Sequence, residues 1–167
     1  MPSVLLTGET HVGKSTLIRR VLARHPEWRV GGFVTLCRGD GVYILPAEAS
    51  ARFFAPSNRV GRRQRPCFSA FPAVFDAVGA PLLQTAQGDL VLMDELGFME
   101  SDAPLFQQAV LDVLSSPVSV LGVVKPARTP FLDRVRACPN CAIFQVAPDN
   151  RDQLPDAVDA CLSALMK

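Results

Sequence analysis

The stretch SVLLTGETHVGKS, residues 3–15, decides the fold. Its apolar first part, residues 3–7, is typical of a buried strand and leads directly into glycine. From Lys14 onward, apolar residues recur at helical spacing on one face and arginines on the other, until Pro26 ends the pattern. His25, at the end of this predicted helix, is expected to cap its last carbonyls. The sequence therefore predicts a strand, a glycine-rich loop and a helix, in that order.

The glycine-rich loop has the spacing G-x-x-x-x-G-K-[ST]. Backbone N–H groups of such a loop point inward, and the helix N-terminus adds partial positive charge, so the loop holds phosphate groups. We expect Lys14 to reach the β- and γ-phosphates, Ser15 to bind Mg²⁺ and Thr16 to contact the α-phosphate. His11 is interpreted as a spacer whose backbone matters. The predicted nucleotide-binding residues are Gly8, Glu9, Thr10, His11, Val12, Gly13, Lys14, Ser15 and Thr16.

A second predicted strand ends in two carboxylates. Residues 90–93 are apolar and are followed by Asp94 and Glu95. This places both acids at the carboxyl edge of a sheet, where open α/β proteins bind ligands. We expect Asp94 to hold the hydration shell of Mg²⁺ and Glu95 to orient or deprotonate an attacking water. An acidic pair that caps a helix is the alternative, and the nearby phosphate loop favours the catalytic interpretation.

The rest of the chain mostly alternates between predicted strands and helices. Further buried strands are predicted at residues 118–124 and 142–146. Helices are predicted near residues 75–83, 105–114, 131–137 and 154–165. Strands that alternate with helices and are apolar throughout indicate an α/β fold, in which helices cover both faces of a mostly parallel central sheet. The length fits one domain, residues 1–167.

Two segments depart from this alternation. Residues 33–36 and 42–45 flank a tight-turn sequence and predict an antiparallel hairpin inserted beside the main sheet. Residues 51–72 are expected to be mostly loop, with a strand near Phe53. This loop carries four arginines, which are interpreted as a solvated surface; a lid over a triphosphate and a patch for RNA or an acidic protein are the alternatives. The arginines are Arg59, Arg62, Arg63 and Arg65.

The composition is that of an ordinary globular domain: 167 residues, 49% apolar and 20% charged, with a net charge of +1. This balance gives no overall field for nucleic acid or an anionic membrane, so we expect neither as a partner. No apolar stretch reaches the roughly 20 residues that a membrane-spanning helix needs, and we see no export signal. The five cysteines, with one isolated C-x-x-C at residues 138–141, indicate reduced thiols in a cytoplasm. We interpret that C-x-x-C as a turn with incidental thiols.

Five segments carry a resemblance that spans nearly the whole chain: residues 8–15, 32–35, 59–61, 93–100 and 150–151. In identity and order they resemble the small P-loop nucleoside-triphosphatases, the family that includes the cancer-related nucleoside-triphosphatase. The resemblance implies a P-loop three-layer sandwich. It also implies slow hydrolysis of several nucleoside triphosphates, ATP and GTP among them, with Mg²⁺ and little base discrimination.

The resemblance also implies roles for individual residues. Lys14 and Glu95 are the expected catalytic pair, and Asp94 is expected on Mg²⁺. Asn150 and Arg151 follow the last predicted strand and are expected near the base or ribose. For these two residues, a helix N-cap followed by a solvated arginine is an equally good interpretation.

One residue departs from the family pattern. Phe98 stands where the family usually has a lysine, so a cation near the γ-phosphate is missing and hydrolysis is expected to be weaker. Lys125 and Arg128, which follow the third predicted buried strand, are candidate substitutes.

The function expected from the sequence is Mg²⁺-dependent hydrolysis of the β–γ phosphate bond of nucleoside triphosphates. Two alternatives stay open. One is a phosphotransferase that passes the phosphate to a nucleoside or another small molecule. The other is a nucleotide-gated binding module with little turnover. The sequence leaves base preference and oligomeric state undecided.

Overall fold

The computed structural model describes residues 3–164. The strands are β1 (Ser3–Thr7), β2 (Val30–Arg38), β3 (Gly41–Pro46), β4 (Arg59–Gln64), β5 (Cys67–Ala70), β6 (Leu90–Leu96), β7 (Ser119–Val124) and β8 (Cys141–Gln145). The helices are α1 (Lys14–Leu22), α2 (Pro72–Val74), α3 (Ala80–Gln84), α4 (Pro104–Ser115), α5 (Pro130–Arg136) and α6 (Leu154–Ser163). A π-helical turn, Phe75–Gly79, joins α2 to α3. Leu165, predicted to belong to the closing helix, lies outside the described residues.

The strands form one continuous sheet in the order β5-β4-β3-β2-β6-β7-β1-β8. Strands β2, β6, β7, β1 and β8 are mutually parallel, and β3, β4 and β5 continue the sheet in antiparallel pairs. The predicted α/β fold is confirmed. The predicted antiparallel hairpin is confirmed as β2–β3. It is part of the main sheet and not beside it, because β2 pairs directly with β6 and places Val34 opposite Asp94.

Both faces of the sheet are buried, which explains why its central strands are apolar throughout. Along β1, Val4 and Leu6 face one core and Leu5 faces the other. Helices α1 and α6 cover the first core, and helices α3, α4 and α5 cover the second. Phe106 of α4 lies at the centre of the second core, in edge contact with Phe33 at a ring distance of 5.4 Å. These layers hold the carboxyl ends of the parallel strands at one rigid edge.

The prediction for residues 51–72 was wrong about the strands, although residues 51–58 lie outside any strand as expected for a loop. Phe53 lies outside any strand and its side chain is 63% exposed, whereas the arginine-rich part forms β4 and pairs with β3 and β5. Strand β4 gives no alternating apolar signal because Val60 is its one buried apolar side chain. Strand β8 was predicted to be buried, but it is partly exposed. It lies at the edge of the sheet, where Ile143 is 45% exposed.

His25 does not cap the carbonyls of α1 as predicted. Its ring stacks on Trp28 at 3.7 Å, and its Nε2 lies 2.6 Å from a carboxylate oxygen of Asp159 on α6. The hydrogen bond to Asp159, helped by one to Glu27, raises the pKa of His25 above its ordinary value. The imidazole therefore ties α1 to α6 most strongly when it is charged.

Because the pKa of His25 is raised, its charged contacts contribute fully below pH 6.5 and are lost as the pH rises through the folded-state value. We expect His25→Gln to cost roughly 0.5–1 kcal/mol more unfolding free energy at pH 5.5 than at pH 9. Urea unfolding at both pH values measures the difference. Arg24→Gln is the control, since Arg24 pairs with the same Asp159 but stays charged throughout. A cost of His25→Gln that does not change with pH would contradict this account.

Candidate active site

The glycine-rich loop between β1 and α1 is held by backbone conformations that favour glycine. Gly8 has φ +146° and Gly13 has φ +111°. A Cβ atom on Gly8 would collide with the backbone oxygen of Val146, the residue that follows β8. His11 has φ +63°, so its backbone turns the loop, consistent with a spacer role. The loop therefore lies directly against the edge of the sheet.

The Lys14 side chain lies inside this loop. Its ammonium group donates hydrogen bonds to the backbone oxygens of Gly8, at 2.7 Å, and Glu9, at 2.6 Å. Lys14 is only 8% exposed. Burial lowers the pKa of Lys14, while the nearby charges of Glu95 and Asp94 work in the opposite direction. A buried cation is thus held where the loop is expected to receive phosphates.

Ser15 and Asp94, the two residues predicted to hold Mg²⁺, meet across the sheet edge. The Ser15 hydroxyl donates to a carboxylate oxygen of Asp94 at 3.4 Å. Burial, together with the charge of Glu95, raises the pKa of Asp94 to about 6. A nearby cation stabilises the charged form of a buried carboxylate such as Asp94. A hydroxyl and a carboxylate are oxygen ligands, which suit hard ions such as Mg²⁺. The donor set fits the ion.

A larger cluster of metal-ligating side chains is not found among residues 3–164. This is compatible with Mg²⁺, which in nucleotide sites usually keeps several waters and binds one or two protein groups together with the phosphates of the substrate.

Thr35 of β2 positions the acidic pair. It is the last residue of segment 32–35, which carries part of the family resemblance, but the sequence did not predict this role. Its hydroxyl donates to the backbone oxygen of Asp94 at 3.0 Å and accepts from the backbone N–H of Glu95 at 2.9 Å. Both contacts follow from the parallel pairing of β2 with β6. The backbone at the end of β6 is therefore fixed by a neighbouring strand.

Lys125, at the end of β7, is the cation that faces Glu95. The Lys125 ammonium lies 3.0 Å from a carboxylate oxygen of Glu95 and 5.8 Å from the centre of the Phe98 ring. Its backbone N–H donates to Leu96, and Arg136 donates to its backbone oxygen. The other candidate substitute for a family lysine, Arg128, instead pairs with Asp133 and its side chain is 80% exposed.

Glu100, in the run that carries the family resemblance, supports the turn after β6. It is 1% exposed, and both of its carboxylate oxygens accept from the backbone N–H of Gly97 at 3.1 Å. Burial raises the pKa of Glu100 to about 7. Gly97 in turn leaves room for the Lys125 stem, which would lie 3.2 Å from a Cβ there. This turn shapes the surroundings of the acidic pair.

Asn150 and Arg151 lie beside the glycine-rich loop. The Asn150 side chain accepts from the backbone N–H of Ala147 at 2.8 Å and donates to the backbone oxygen of Gln145 at 2.9 Å. It thereby folds the segment after β8 and does not cap α6. The Arg151 guanidinium reaches the backbone oxygen of Val12 at 3.5 Å. The arginine is exposed to solvent, and its side chain lies beside the loop.

Two cavities adjoin at the sheet edge. The phosphate cavity, about 480 Å³, lies between the glycine-rich loop and the pair Asp94 and Glu95. The Phe98 cavity, about 150 Å³, lies on the other side of Glu95 and includes Lys125 and Phe98 in its wall. Residues common to both walls are Thr35, Cys37, Arg63 and Glu95.

The C-x-x-C segment lies apart from this edge. Cys138 and Cys141 are free thiols joined by a turn in which the Cys141 N–H donates to the Cys138 oxygen. Burial raises the pKa of Cys141 to about 11, so its thiol is not activated at neutral pH. Within residues 3–164, no helix has both the length and the apolar character needed to cross a membrane.

A mostly parallel sheet with a phosphate loop after its first strand, and a carboxylate at the end of a nearby strand, defines the class of P-loop nucleotide-binding proteins. Comparison with known proteins narrows the class. Residues 49–158 match the family model described as NTPase. The mouse cancer-related nucleoside-triphosphatase homolog is 30% identical, with 93% of this chain and 94% of the mouse protein covered. THEP1, a nucleoside-triphosphatase of Methanosarcina acetivorans, is also 30% identical, with 95% of each chain covered.

A solved structure confirms the fold. The crystal structure of THEP1 from Aquifex aeolicus superposes with a TM-score of 0.76, covering 96% of this chain and 98% of that chain at 21% identity. This chain belongs to the NTPase family of small P-loop proteins, and its enzyme class is nucleoside-triphosphate hydrolase.

Gly8 provides a test of the loop geometry. We expect Gly8→Ala to lower the unfolding free energy by at least about 2 kcal/mol more than Gly39→Ala does. The Cβ at residue 8 would collide with the backbone of Val146, and φ +146° is a conformation that residues with a side chain rarely adopt. Gly39 is the reference position: its φ of +59° lies in the left-handed region that other residues adopt at modest cost, and a Cβ there meets nothing within 4 Å. Urea unfolding of both variants measures the difference, and equal losses would show that the loop does not lie against Val146.

Proposed function

We propose that this protein is a Mg²⁺-dependent nucleoside-triphosphatase that releases the γ-phosphate of several nucleoside triphosphates, ATP and GTP included. The observation that carries the proposal is the meeting of Lys14, the Ser15–Asp94 pair and Glu95 around one cavity. We further propose that the chain works as one domain. We place it in a reducing cytoplasm, with which its five free thiols are compatible.

In the proposed reaction the oxygen of a water molecule forms a bond to the γ-phosphorus. The bond from the γ-phosphorus to the β–γ bridging oxygen breaks, and its electron pair stays on the nucleoside diphosphate. The proton of the water passes to the Glu95 carboxylate and then to solvent. Lys14 contacts the β- and γ-phosphate oxygens. Mg²⁺, held through Ser15 and Asp94, would neutralise charge on those oxygens.

Lys125 is proposed as a positioning residue for Glu95. Its ion pair, at 3.0 Å, holds one carboxylate oxygen of Glu95, and Thr35 holds the backbone of the same residue. Because Glu95 is held from two sides, its carboxylate keeps one orientation toward the attacking water. Such preorganisation supports in-line attack.

Broad base tolerance is supported by the segment after β8. The side-chain oxygen of Asn150 accepts from the backbone of Ala147, and its side-chain amide donates to the backbone of Gln145. This side chain is therefore poorly placed to recognise the edge of a base. Arg151 lies over the loop beside Val12, where a guanidinium is able to stack on any base or contact a ribose. Neither residue presents a pattern that distinguishes one base from another.

A phosphotransferase is the second candidate, and the Phe98 cavity favours it. The cavity opens beyond Glu95, where a substrate hydroxyl would replace water, and its wall combines Phe68, Phe98 and Met99 with Lys125. A radiolabelled γ-phosphate assay with a panel of nucleosides and small alcohols separates the two reactions. If more label is found in the acceptor than in free phosphate, phosphotransfer and not hydrolysis is the main activity.

Substitution of Glu95, the proposed proton acceptor, and of Lys14, in the loop, separates the chemical step from nucleotide binding. We expect Glu95→Gln to lower kcat by roughly 10²- to 10⁴-fold, because an amide cannot accept the proton. Its affinity for a non-hydrolysable triphosphate should change little. Lys14→Ala should lose phosphate release and weaken triphosphate binding together. Phosphate-release kinetics and calorimetry provide both readouts. Unchanged turnover in Glu95→Gln would remove Glu95 from the proposed role.

Lys125→Met tests the positioning role. We expect kcat to fall by about 10- to 100-fold, since a misplaced catalytic group costs on that order, with little change in KM. Arg128→Met is the matched control, because Arg128 follows the same strand but pairs with Asp133 at the surface. If both variants turn over at the wild-type rate, the contact between Lys125 and Glu95 does not contribute to the reaction.

A further inference from the structure

The four arginines of the β4–β5 region have different surroundings. Arg59 and Arg62 both pair with Asp40, which lies in the turn between β2 and β3, at 2.8 Å and 2.6 Å. The side chain of Arg62, and then the charge of Arg59, lower the pKa of Asp40. These two arginines therefore fasten one hairpin to the next and are not directed at the nucleotide.

Arg63 points the other way. An irregularity in the pairing of β3 with β4, between Val42 and Tyr43, lets Arg59 and Arg62 reach the same carboxylate although they are three residues apart. Adjacent residues of a strand face opposite sides, so Arg63 faces away from Asp40. It lies opposite Phe68 on β5, and both side chains line the Phe98 cavity.

The Arg63 side chain also lines the phosphate cavity, in the part of the wall that both cavities share with Glu95. It is exposed, and in the described part of the chain no carboxylate forms an ion pair with it. Its backbone N–H donates to the backbone oxygen of Asp40 at 2.7 Å, which fixes the strand but leaves the guanidinium unengaged. A positioned strand thus presents a cation with five free N–H donors at this wall.

The other charged residues of the phosphate cavity give Arg63 a specific electrostatic role. Its wall carries two carboxylates, Asp94 and Glu95, whereas its lysine and arginine side chains, among the described residues, are Lys14 and Arg63. Lys14 would approach the phosphates from the loop side, and Lys125 pairs with Glu95. A second cation, on the wall opposite the loop, would stabilise the charge that spreads over the γ-phosphoryl oxygens during transfer. The guanidinium fork matches phosphate geometry.

We infer that Arg63 is a further catalytic residue, which contacts the γ-phosphoryl oxygens from the shared wall and stabilises their charge while the bond to the leaving diphosphate breaks. This inference rests on the proposed hydrolysis of nucleoside triphosphates. It assigns a specific function to one residue of a segment whose neighbouring arginines are structural.

The test compares Arg63→Gln with Arg65→Gln, which removes the same charge from the same hairpin but at a residue that lines neither cavity. We expect Arg63→Gln to lower kcat by about 10²- to 10³-fold, as loss of one preorganised donor does, and to leave KM within about threefold. Arg63→Lys should recover only part of the rate, because lysine keeps the charge without the fork. Added guanidinium should accelerate Arg63→Ala and not the wild type.

Thermal unfolding of each variant checks that the fold is retained. If Arg63→Gln does not fold, Arg63→Lys replaces it in the comparison of rates. Equal kcat values for Arg63→Gln and Arg65→Gln, with the wild type active and Lys14→Ala inactive, would overturn the role of Arg63 alone. If the wild type releases no phosphate above the Lys14→Ala background, the proposed hydrolysis fails, and the inference fails with it. A rate loss in Arg63→Ala that neither added guanidinium nor Arg63→Lys restores even in part would show that the charge at residue 63 is not what matters, and would also overturn the inference.

Discussion

The meeting of Ser15 with Asp94 is the contact on which the rest of the site depends. The two residues come from β1–α1 and from β6, and β7 lies between those strands in the sheet. Adjacent strands are about 4.8 Å apart, so the gap of two strand spacings must be closed by the loop and the first turn of α1. The positive φ values of Gly8 and Gly13 let the loop turn over the sheet edge in this way. A serine hydroxyl thereby reaches a carboxylate two strands away.

The two adjacent carboxylates at this edge impose a second constraint. Burial, and after it the charge of the adjacent Glu95, raises the pKa of Asp94, because two like charges side by side repel each other. The protein opposes the repulsion with Lys125 beside Glu95, and with Lys14 near both. The charges of the site are therefore distributed among the start of α1 (Lys14), the end of β6 (Asp94 and Glu95) and the residue after β7 (Lys125). No single strand contains a complete set.

The sequence predicted those parts of the fold and site that local pattern controls. The β1–loop–α1 unit followed from glycine spacing and helical periodicity, and the proximity of Asp94 to the loop followed from the rule that ligands bind at the carboxyl edge. Strand β4 was missed because it is stabilised by pairing with β3 and by ion pairs to Asp40, and neither leaves a periodic signal. The position of Thr35 depends on the register between β2 and β6, which no motif encodes.

The choice between Lys125 and Arg128 depended in the same way on tertiary structure. Both cations follow β7. The backbone of Lys125 is held by Leu96 and Arg136, and its side chain faces Glu95, whereas Arg128 pairs with Asp133. His25 likewise takes its partner from α6, far along the chain. Interactions between distant segments thus define the details of the site, whereas the phosphate loop itself is a local structure.

The most direct measurement of the central claim is calorimetric titration of the wild-type protein with a non-hydrolysable nucleoside triphosphate, with Mg²⁺ and again with the metal chelated. If the loop and Asp94 form one phosphate and metal site, binding heat should be observed and the affinity should rise by at least about tenfold with Mg²⁺, or roughly 1.4 kcal/mol. Ser15→Ala should lose most of that gain. No heat with any triphosphate, or an affinity indifferent to Mg²⁺, would contradict the account.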